Sequence, residues 1–541
     1  MSIIQQHIIS QSDNHFISEY RHENPTLGTG NYSSRYSQHF FGQHVVDDAG
    51  FIYVTGRSGR FGGKYFPPDA TVRSISKLTQ TGQVIFSKDF NTLYPHFERM
   101  FYADNHIYGV GRLSTSYNSS GTLVGSDALI MKLTTDLNIV WYRMLGNDDN
   151  TTDYEDFEGF AIDSSNNVYV SGEGYRSPNT YGAFSTSVAK YNSSGTLQWK
   201  KLLKYESGNN NTSESFSGGN HMIHCDTNDD LYIAGYTSNA GGGNSSNGTP
   251  ACNWYMHRLC HLKLNSSGSL IWRKARRSRW TVQTGGPSSY TGCYHYYGDH
   301  DSSGLDSNNN FYGVISHRSL SHIPSYNSYR SDAFSLLKRN SSGTVQWEKC
   351  FYVTNTSNTG FNTYLAKQLQ FDNDDNIYLA CRSNYQSGGA YTEPIIILKF
   401  NSSGNLQWAR KISRSNLKSG DLYVPYASSF KVHKNKGYFT ISGSFRDNNA
   451  SPDIYHGYIL KLPIDGSKTG TYGYWSYSTY NGLTFSNNHP NSNVDITGVD
   501  HSTTNITTYN NPLVDRSSVT ANNITLTTGA HPATNYVESI P

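Results

Sequence analysis

Hydrophobic and polar positions along this chain alternate with a period of two over short stretches, and clusters of Asn, Asp, Ser and Gly bound each stretch. Such alternation predicts half-buried strands, and the clusters predict tight turns. Two patterns recur. One is an acidic or Asn-rich turn leading into a strand, as in Asp163-Ser-Ser-Asn-Asn-Val-Tyr169-Val-Ser-Gly172; it returns at 47–56, around Tyr108 to Gly111, at 226–235, 306–314 and 372–380, and more loosely at 436–443. The other is a strand, a turn and a strand, as in Val188-Ala-Lys190-Tyr-Asn-Ser-Ser-Gly195-Thr-Leu-Gln-Trp199. Its sisters lie at 77–86, 132–141, 263–272, 338–347 and 399–408, with a truncated copy at 461–466.

Taking Tyr53, Tyr108, Tyr169, Tyr232, Tyr312, Tyr378 and Thr440 as equivalent gives spacings of 55, 61, 63, 80, 66 and 62 residues. A unit of that length with two turn signals holds four short strands, and seven such units without helical periodicity predict propeller blades. The expected fold is all-β: a seven-bladed β-propeller of four-stranded antiparallel blades over 36–467, with an N-terminal segment 1–35 and an Asn/Thr/Ser-rich tail 468–541, β-rich or extended, for docking or assembly. In this reading the recurring Trp is an apolar plug between neighbouring blades rather than a stacking platform for sugar. His15-Phe-Ile-Ser-Glu-Tyr20 alternates like a strand and could complete the seventh blade; Tyr472-Gly-Tyr474-Trp475-Ser-Tyr477 could do so from the other end. The tail from Ser486 has no evident core and is expected to be disordered or ordered by a partner.

Turn and strand together, Asp163 to Gly172 and Lys190 to Gly195, resemble the SBBP or bacterial β-propeller repeat, over most of the chain. That resemblance implies propeller blades. Gly195 to Trp199 also looks like a quinoprotein element, but the Ala-x-Asp step before it is missing and seven blades are fewer than the usual eight. No cofactor is therefore expected. The tail's composition resembles that of phage tail and fibre proteins.

Composition narrows the function classes. A net charge of +2 argues against a general footprint for nucleic acid. No run of about 18 apolar residues could span a bilayer, so no membrane insertion is expected. The opening residues do not read as a secretory signal. Six cysteines are too sparse for a disulfide framework, and Cys350 and Cys381, inside strand patterns, read as small buried hydrophobes. The Asn-x-Ser/Thr matches at Asn118, Asn192, Asn265, Asn340 and Asn401 read as turns.

Candidate chemistry is sparse. The turns Asp226-Thr-Asn228-Asp-Asp230 and Asp372-Asn-Asp374-Asp-Asn376 imitate the start of a calcium loop but lack its later Gly and Glu, so hairpin turns are expected. The run from Cys252 to His261 gathers soft ligands at a spacing that fits no common zinc site. The stretch after Trp272 reads as a long basic and aromatic loop, carrying Arg273, Lys274, Arg276, Arg277, Arg279 and Trp280 and then several tyrosines. Such a loop suits an anionic glycan or phosphate-bearing polymer, or another subunit. Eleven residues before four anchoring tyrosines stand Glu158, His221, Asp301 and Lys367, a set expected to converge on one mouth of a central channel. No catalytic constellation can be assembled from spacing.

These features lead to the expectation of a non-enzymatic structural or recognition component of a phage particle, located in the virion. Its partners would be other virion or surface-assembly subunits and a host-surface glycan. The alternatives are an exported, cell-surface glycan-binding propeller, and a polysaccharide-active or quinone-dependent enzyme.

Overall fold

A computed structural model describes residues 15–22, 36–61, 71–90, 95–117, 123–146, 155–174, 185–205, 215–239, 256–282, 290–292, 302–319, 330–353, 369–382, 385–387, 390–392, 394–415, 417–423, 430–447, 455–481, 483–485, 497–501, 506–510, 514–515, 526–529 and 533–539. The fold is an all-β propeller of seven four-stranded antiparallel blades, and no helix occurs among the described residues. Blades 1 to 6 span 36–90, 95–146, 159–205, 215–282, 302–353 and 369–414. The chain divides into two compact units: one holds 1–157, 370–480 and 514–541, with blades 1, 2, 6 and 7; the other holds 158–369 and 481–513, with blades 3, 4 and 5.

Blade 7 takes three strands from Phe430–His433, Tyr438–Asp447 and Tyr455–Pro463. Its fourth is the N-terminal strand Phe16–His22, antiparallel to Tyr455–Pro463 with Phe16 opposite Lys461. The first segment of the chain is thus part of the last blade. Tyr472 and Trp475 belong instead to Gly470–Tyr472 and Trp475–Thr479, the latter laid along blade 6.

The tail is β-rich and extended as expected, but its described strands pair with the chain's own blades rather than awaiting a separate partner. From Trp475 onward each short tail strand adds to the outer edge of a blade, antiparallel to that blade's fourth strand. Trp475–Thr479 lies on blade 6, Leu483–Phe485 on blade 5, Thr497–His501 on blade 4 and Ile506–Asn510 on blade 3. Val514–Asp515 lies on blade 2, Leu526–Gly529 on blade 1 and Ala533–Ser539 on Phe16–His22 of blade 7. The described tail strands pair with the blades one after another in reverse sequence order. The physical reason is backbone pairing: an outer edge presents unpaired N–H and C=O groups, and an extended polar chain satisfies them without a core of its own.

Why the blades fold as they do is clearest at their turns. In blade 3, Asn192 Oδ1 accepts the N–H groups of Ser194 and Thr196 at 3.1 and 2.8 Å, while Gly195 takes a φ of 80°, a left-handed conformation that glycine adopts freely. Trp199 stands edge-on to Tyr169, with ring centroids 5.9 Å apart, and its indole N–H donates to the Ser266 carbonyl in the turn of blade 4 at 3.0 Å. Trp272 repeats this with Ser341 at 2.9 Å, packing beside Gly343. These tryptophans are plugs between blades, as their recurrence suggests.

The four-residue set behind each plug is equally regular. Asp163 Oδ1 accepts the Asn167 N–H at 2.7 Å, and Oδ2 accepts the Tyr169 hydroxyl at 3.2 Å and pairs with Lys190 at 3.1 Å. Lys190 lies over the Tyr169 ring, 4.7 Å from its centroid. Blades 4, 5 and 6 repeat the ion pair as Lys263–Asp226, Lys338–Asp306 and Lys399–Asp372, at 3.0, 3.2 and 3.4 Å. Burial works to raise the Asp163, Asp306 and Asp372 carboxyls, but hydrogen bonds from the i+4 Asn and the nearby lysine outweigh it and leave all three lowered.

Candidate functional site

The sequence candidates are dispersed. Arg273, Arg276, Arg277, Arg279 and Trp280 do not lie on a loop. They belong to the strand Leu270–Val282, which pairs with Met256–Leu264 on one side and with the tail strand Thr497–His501 on the other. The run of basic residues breaks the apolar–polar alternation that marks a strand, and the strand's hydrogen bonds come from two neighbouring backbones that the local sequence does not show. Glu158 stands just before the first strand of blade 3, with its N–H donating to the Ser171 carbonyl at 2.8 Å. His221 lies on the first strand of blade 4, Ser215–Cys225. Asp301 and Lys367 lie outside the described residues, so a four-residue ring cannot be traced.

The acidic turns have an internal use. Lys263 Nζ bridges Asp226 and Asp230 at 3.0 Å each, so an ammonium occupies the place a bound cation would take. Of the soft-ligand run, Cys260 is buried in the apolar core of blades 3 and 4, and His261 Nδ1 accepts the buried Arg339 Nε–H at 3.1 Å. The described residues contain no group of three or more His, Cys, Asp or Glu placed to hold a metal.

The arrangement with recognisable binding chemistry lies at the opposite strand ends of blade 2. Arg112, midway along the second strand His106–Tyr117 and opposite His96 near the start of the first, reaches Glu98 Oε1 on the first strand at 3.6 Å and Asp156 Oδ2 at 3.5 Å. His96 Nδ1 contacts the same Glu98 oxygen at 2.6 Å. Residues 155–157, which follow the blade, are pinned back onto it. The Glu155 N–H donates to Ser126 O at 3.1 Å, Ser126 Oγ donates to Glu155 O at 3.2 Å, and the Phe157 N–H donates to Gly111 O at 2.9 Å. A register shift between Phe97 and Arg99 brings the His96 carbonyl so close to Gly111 that a β-carbon there would overlap it. Glycine is therefore required next to Arg112.

The side chains of His96, Arg112 and Glu98 remain 32%, 32% and 23% exposed, and Asp156 10%. The result is a partly open set holding one guanidinium fork, two carboxylates and an imidazole, with donors and acceptors side by side. Sequence reading singled out Glu158 and passed over Asp156. The only local signal was the density of acids in Glu155-Asp156-Phe157-Glu158.

No protein-family model and no curated protein matches the chain, so the SBBP-like resemblance has no family match behind it. Solved structures show distant likeness at the level of fold. The extracellular region of plexin A4 is 8% identical with a TM-score of 0.39, over 80% of this chain and 51% of that one. The chain thus spans about half the length of that structure. The α-L-arabinofuranosidase Arb93A of Fusarium graminearum, in complex with an iminosugar inhibitor, is 10% identical with a TM-score of 0.36, over 80% and 99%. The tail fibre of Staphylococcus aureus phage P68 is 9% identical with a TM-score of 0.16, over 70% and 95%.

Proposed function

We propose that this chain is a non-catalytic recognition propeller, carried by a phage particle as a tail or fibre component, which binds a hydroxyl-rich host-surface ligand at the His96–Glu98–Arg112–Asp156 set. The observation that supports this reading is the guanidinium of Arg112 standing between two carboxylates. Fixed, partly open donors and acceptors of this kind suit hydroxyl pairs on a saccharide. A glycosidase needs its two carboxyl groups facing each other across the scissile bond, one as acid and one as base or nucleophile; here both turn to one arginine. The assignment to a virion rests on the polar, nearly neutral composition and the Asn/Thr/Ser-rich tail. Because the described tail strands lie along the blade edges, partner binding is assigned to the blade 2 set rather than to the tail.

The test is a glycan array probed with the full chain and with Arg112→Ala. A set of glycans bound by the wild type and lost at least about tenfold by the variant is expected. Cleavage or oxidation of a bound polysaccharide would sink the non-catalytic reading, and absence of the chain from purified particles by mass spectrometry would sink the virion assignment. In the latter case an exported surface propeller with the same site is the reading that survives.

A further inference from the structure

Connectivity distinguishes the fourth strand of blade 7 from its six counterparts. In blades 1 to 6 four or five residues join the third strand to the fourth, as residues 192–196 join Ser185–Tyr191 to Leu197–Tyr205, so the turn itself keeps the two strands side by side. In blade 7 the third strand is Tyr455–Pro463 and the fourth is Phe16–His22. Segments so far apart in sequence lose more chain entropy on pairing than the two arms of a hairpin do. Their pairing covers five residues, from Phe16 opposite Lys461 to Tyr20 opposite Gly457. On the other edge Ala533–Ser539 pairs with all seven, from Phe16 opposite Ser539 to His22 opposite Ala533. Among the described residues, only the tail strand pairs with Arg21 and His22.

The strand held in this way joins two blades. Phe16 and Ile17 are buried, and Phe16 packs among Val46, Ile52, Val54 and Leu78 of blade 1 and Ile459 of blade 7. Elsewhere in this compact unit the later tail strands are shorter, two residues on blade 2 at Val514–Asp515 and four on blade 1 at Leu526–Gly529. Each of these lies on a fourth strand that its own turn already secures. Blade 7 therefore depends on its tail strand in a way that blades 1 and 2 do not.

We propose that Ala533–Ser539 is a detachable latch. Docked, it holds Phe16–His22 on Tyr455–Pro463 and so keeps blade 7 closed on blade 1. Detached, it releases the N-terminal strand and leaves a strand edge that accepts an extended peptide. The register supplies a ladder of backbone hydrogen bonds, so the edge takes the same segment when it is offered as a separate molecule. This device is independent of the Arg112 set and of the saccharide reading.

The experiment is hydrogen exchange by mass spectrometry on the full chain, wild type and Tyr536→Pro/Val537→Pro. Successive residues of a strand turn their N–H groups to opposite edges, so one of the two prolines removes a donor from the ladder with Phe16–His22. Amides of residues 16–22 are expected to exchange at least about tenfold faster in the variant, while those of Ile377–Arg382 in blade 6 keep their rate. A synthetic peptide of residues 530–541 should restore the slow rate saturably. A second variant, Glu19→Cys/Tyr536→Cys, places thiols at directly opposite positions. Oxidised, it should exchange at residues 16–22 at least about tenfold more slowly than the wild type, and reduction should return the wild-type rate. Unchanged exchange at 16–22 in the proline variant, acceleration that extends equally to blade 6, no effect of the peptide, or no slowing in the oxidised cysteine pair would overturn the proposal.

Discussion

Blades 3 to 6 and blade 7 meet the same packing problem with different residues. In blades 3 to 6 a buried Asp, a Lys and a Tyr interlock beside a Trp, and in blades 3, 4 and 6 that Trp plugs the next turn. In blade 7 the register-equivalent positions carry His433, Lys461 and Thr440, and the plug is Phe16. Phe16 faces Lys461 just as Trp199 faces Lys190, and a β-carbon on Gly82, in the turn of blade 1, would strike the Phe16 ring as one on Gly343 would press on Trp272. Chemically the blades differ in one respect: four hold their lysine with an acid, and blade 7 does not. Its Lys461 instead lies over the Tyr438 ring at 4.2 Å and donates to the Gln80 carbonyl at 3.3 Å, and burial brings it down to about 8.

The largest effect should come from the plug that closes blade 7. Phe16 is 2% exposed and packs with Val46, Ile52, Val54, Leu78 and Ile459, so its removal leaves a cavity joining two blades. Phe16→Ala should cost about 3–5 kcal/mol by chemical or thermal denaturation, against about half of that for Trp199→Ala, whose indole is half-exposed. Equal losses would mean that the N-terminal strand adds backbone pairing and little else.

The lysines separate the two arrangements next. Lys263→Met strands the buried Asp226 carboxylate and should cost about 3 kcal/mol. Lys461→Met removes a cation that has no acid beside it among the described residues, and should be neutral or stabilising. Thermal melts of the two variants decide this; a comparable loss in both would show that the lysine acts through its stem and not through its charge.

How much of this could be read from the sequence follows from which contacts are local. The Asp163 carboxylate, its i+4 amide and the Tyr169 hydroxyl lie within six residues, so their recurrence marks the blades. Phe16 shares no motif with the tryptophans it replaces, since its partner Lys461 is distant in sequence. The tail's extended, β-rich character is legible in its composition, but its strands, some only two or three residues long, are held by backbone groups, so no side-chain pattern says which blade each one joins. The Arg112 set draws on two strands and the segment that follows the blade, and only the acids of that segment are dense in sequence.

The smallest effect concerns acid. Ser442 Oγ donates to the Gly42 carbonyl at 3.0 Å and so accepts from His44 Nδ1–H at 2.8 Å, which leaves His44 Nε2 as an acceptor for the Thr440 hydroxyl at 2.7 Å. Thr440 in turn accepts from His433 Nε2–H at 2.8 Å. This chain needs the His44 imidazole neutral, because its Nε2 must accept. Burial, reinforced by Lys431 and neighbouring cations, lowers both, His433 to about 3. The unfolded chain therefore binds more protons than the folded one from about pH 6.5 downward, and stability contributed here is complete above that range and falls as pH drops toward 3. The lowered carboxyls of blades 3, 5 and 6 act in the same direction but only below about pH 4. Blade 7 should thus weaken first on acidification. Melting temperatures from pH 8 to 4 are expected to decline below 6.5, with a shallower slope in His433→Gln, and a wild-type curve that stays flat down to the carboxylate range would remove the distinction between the blades.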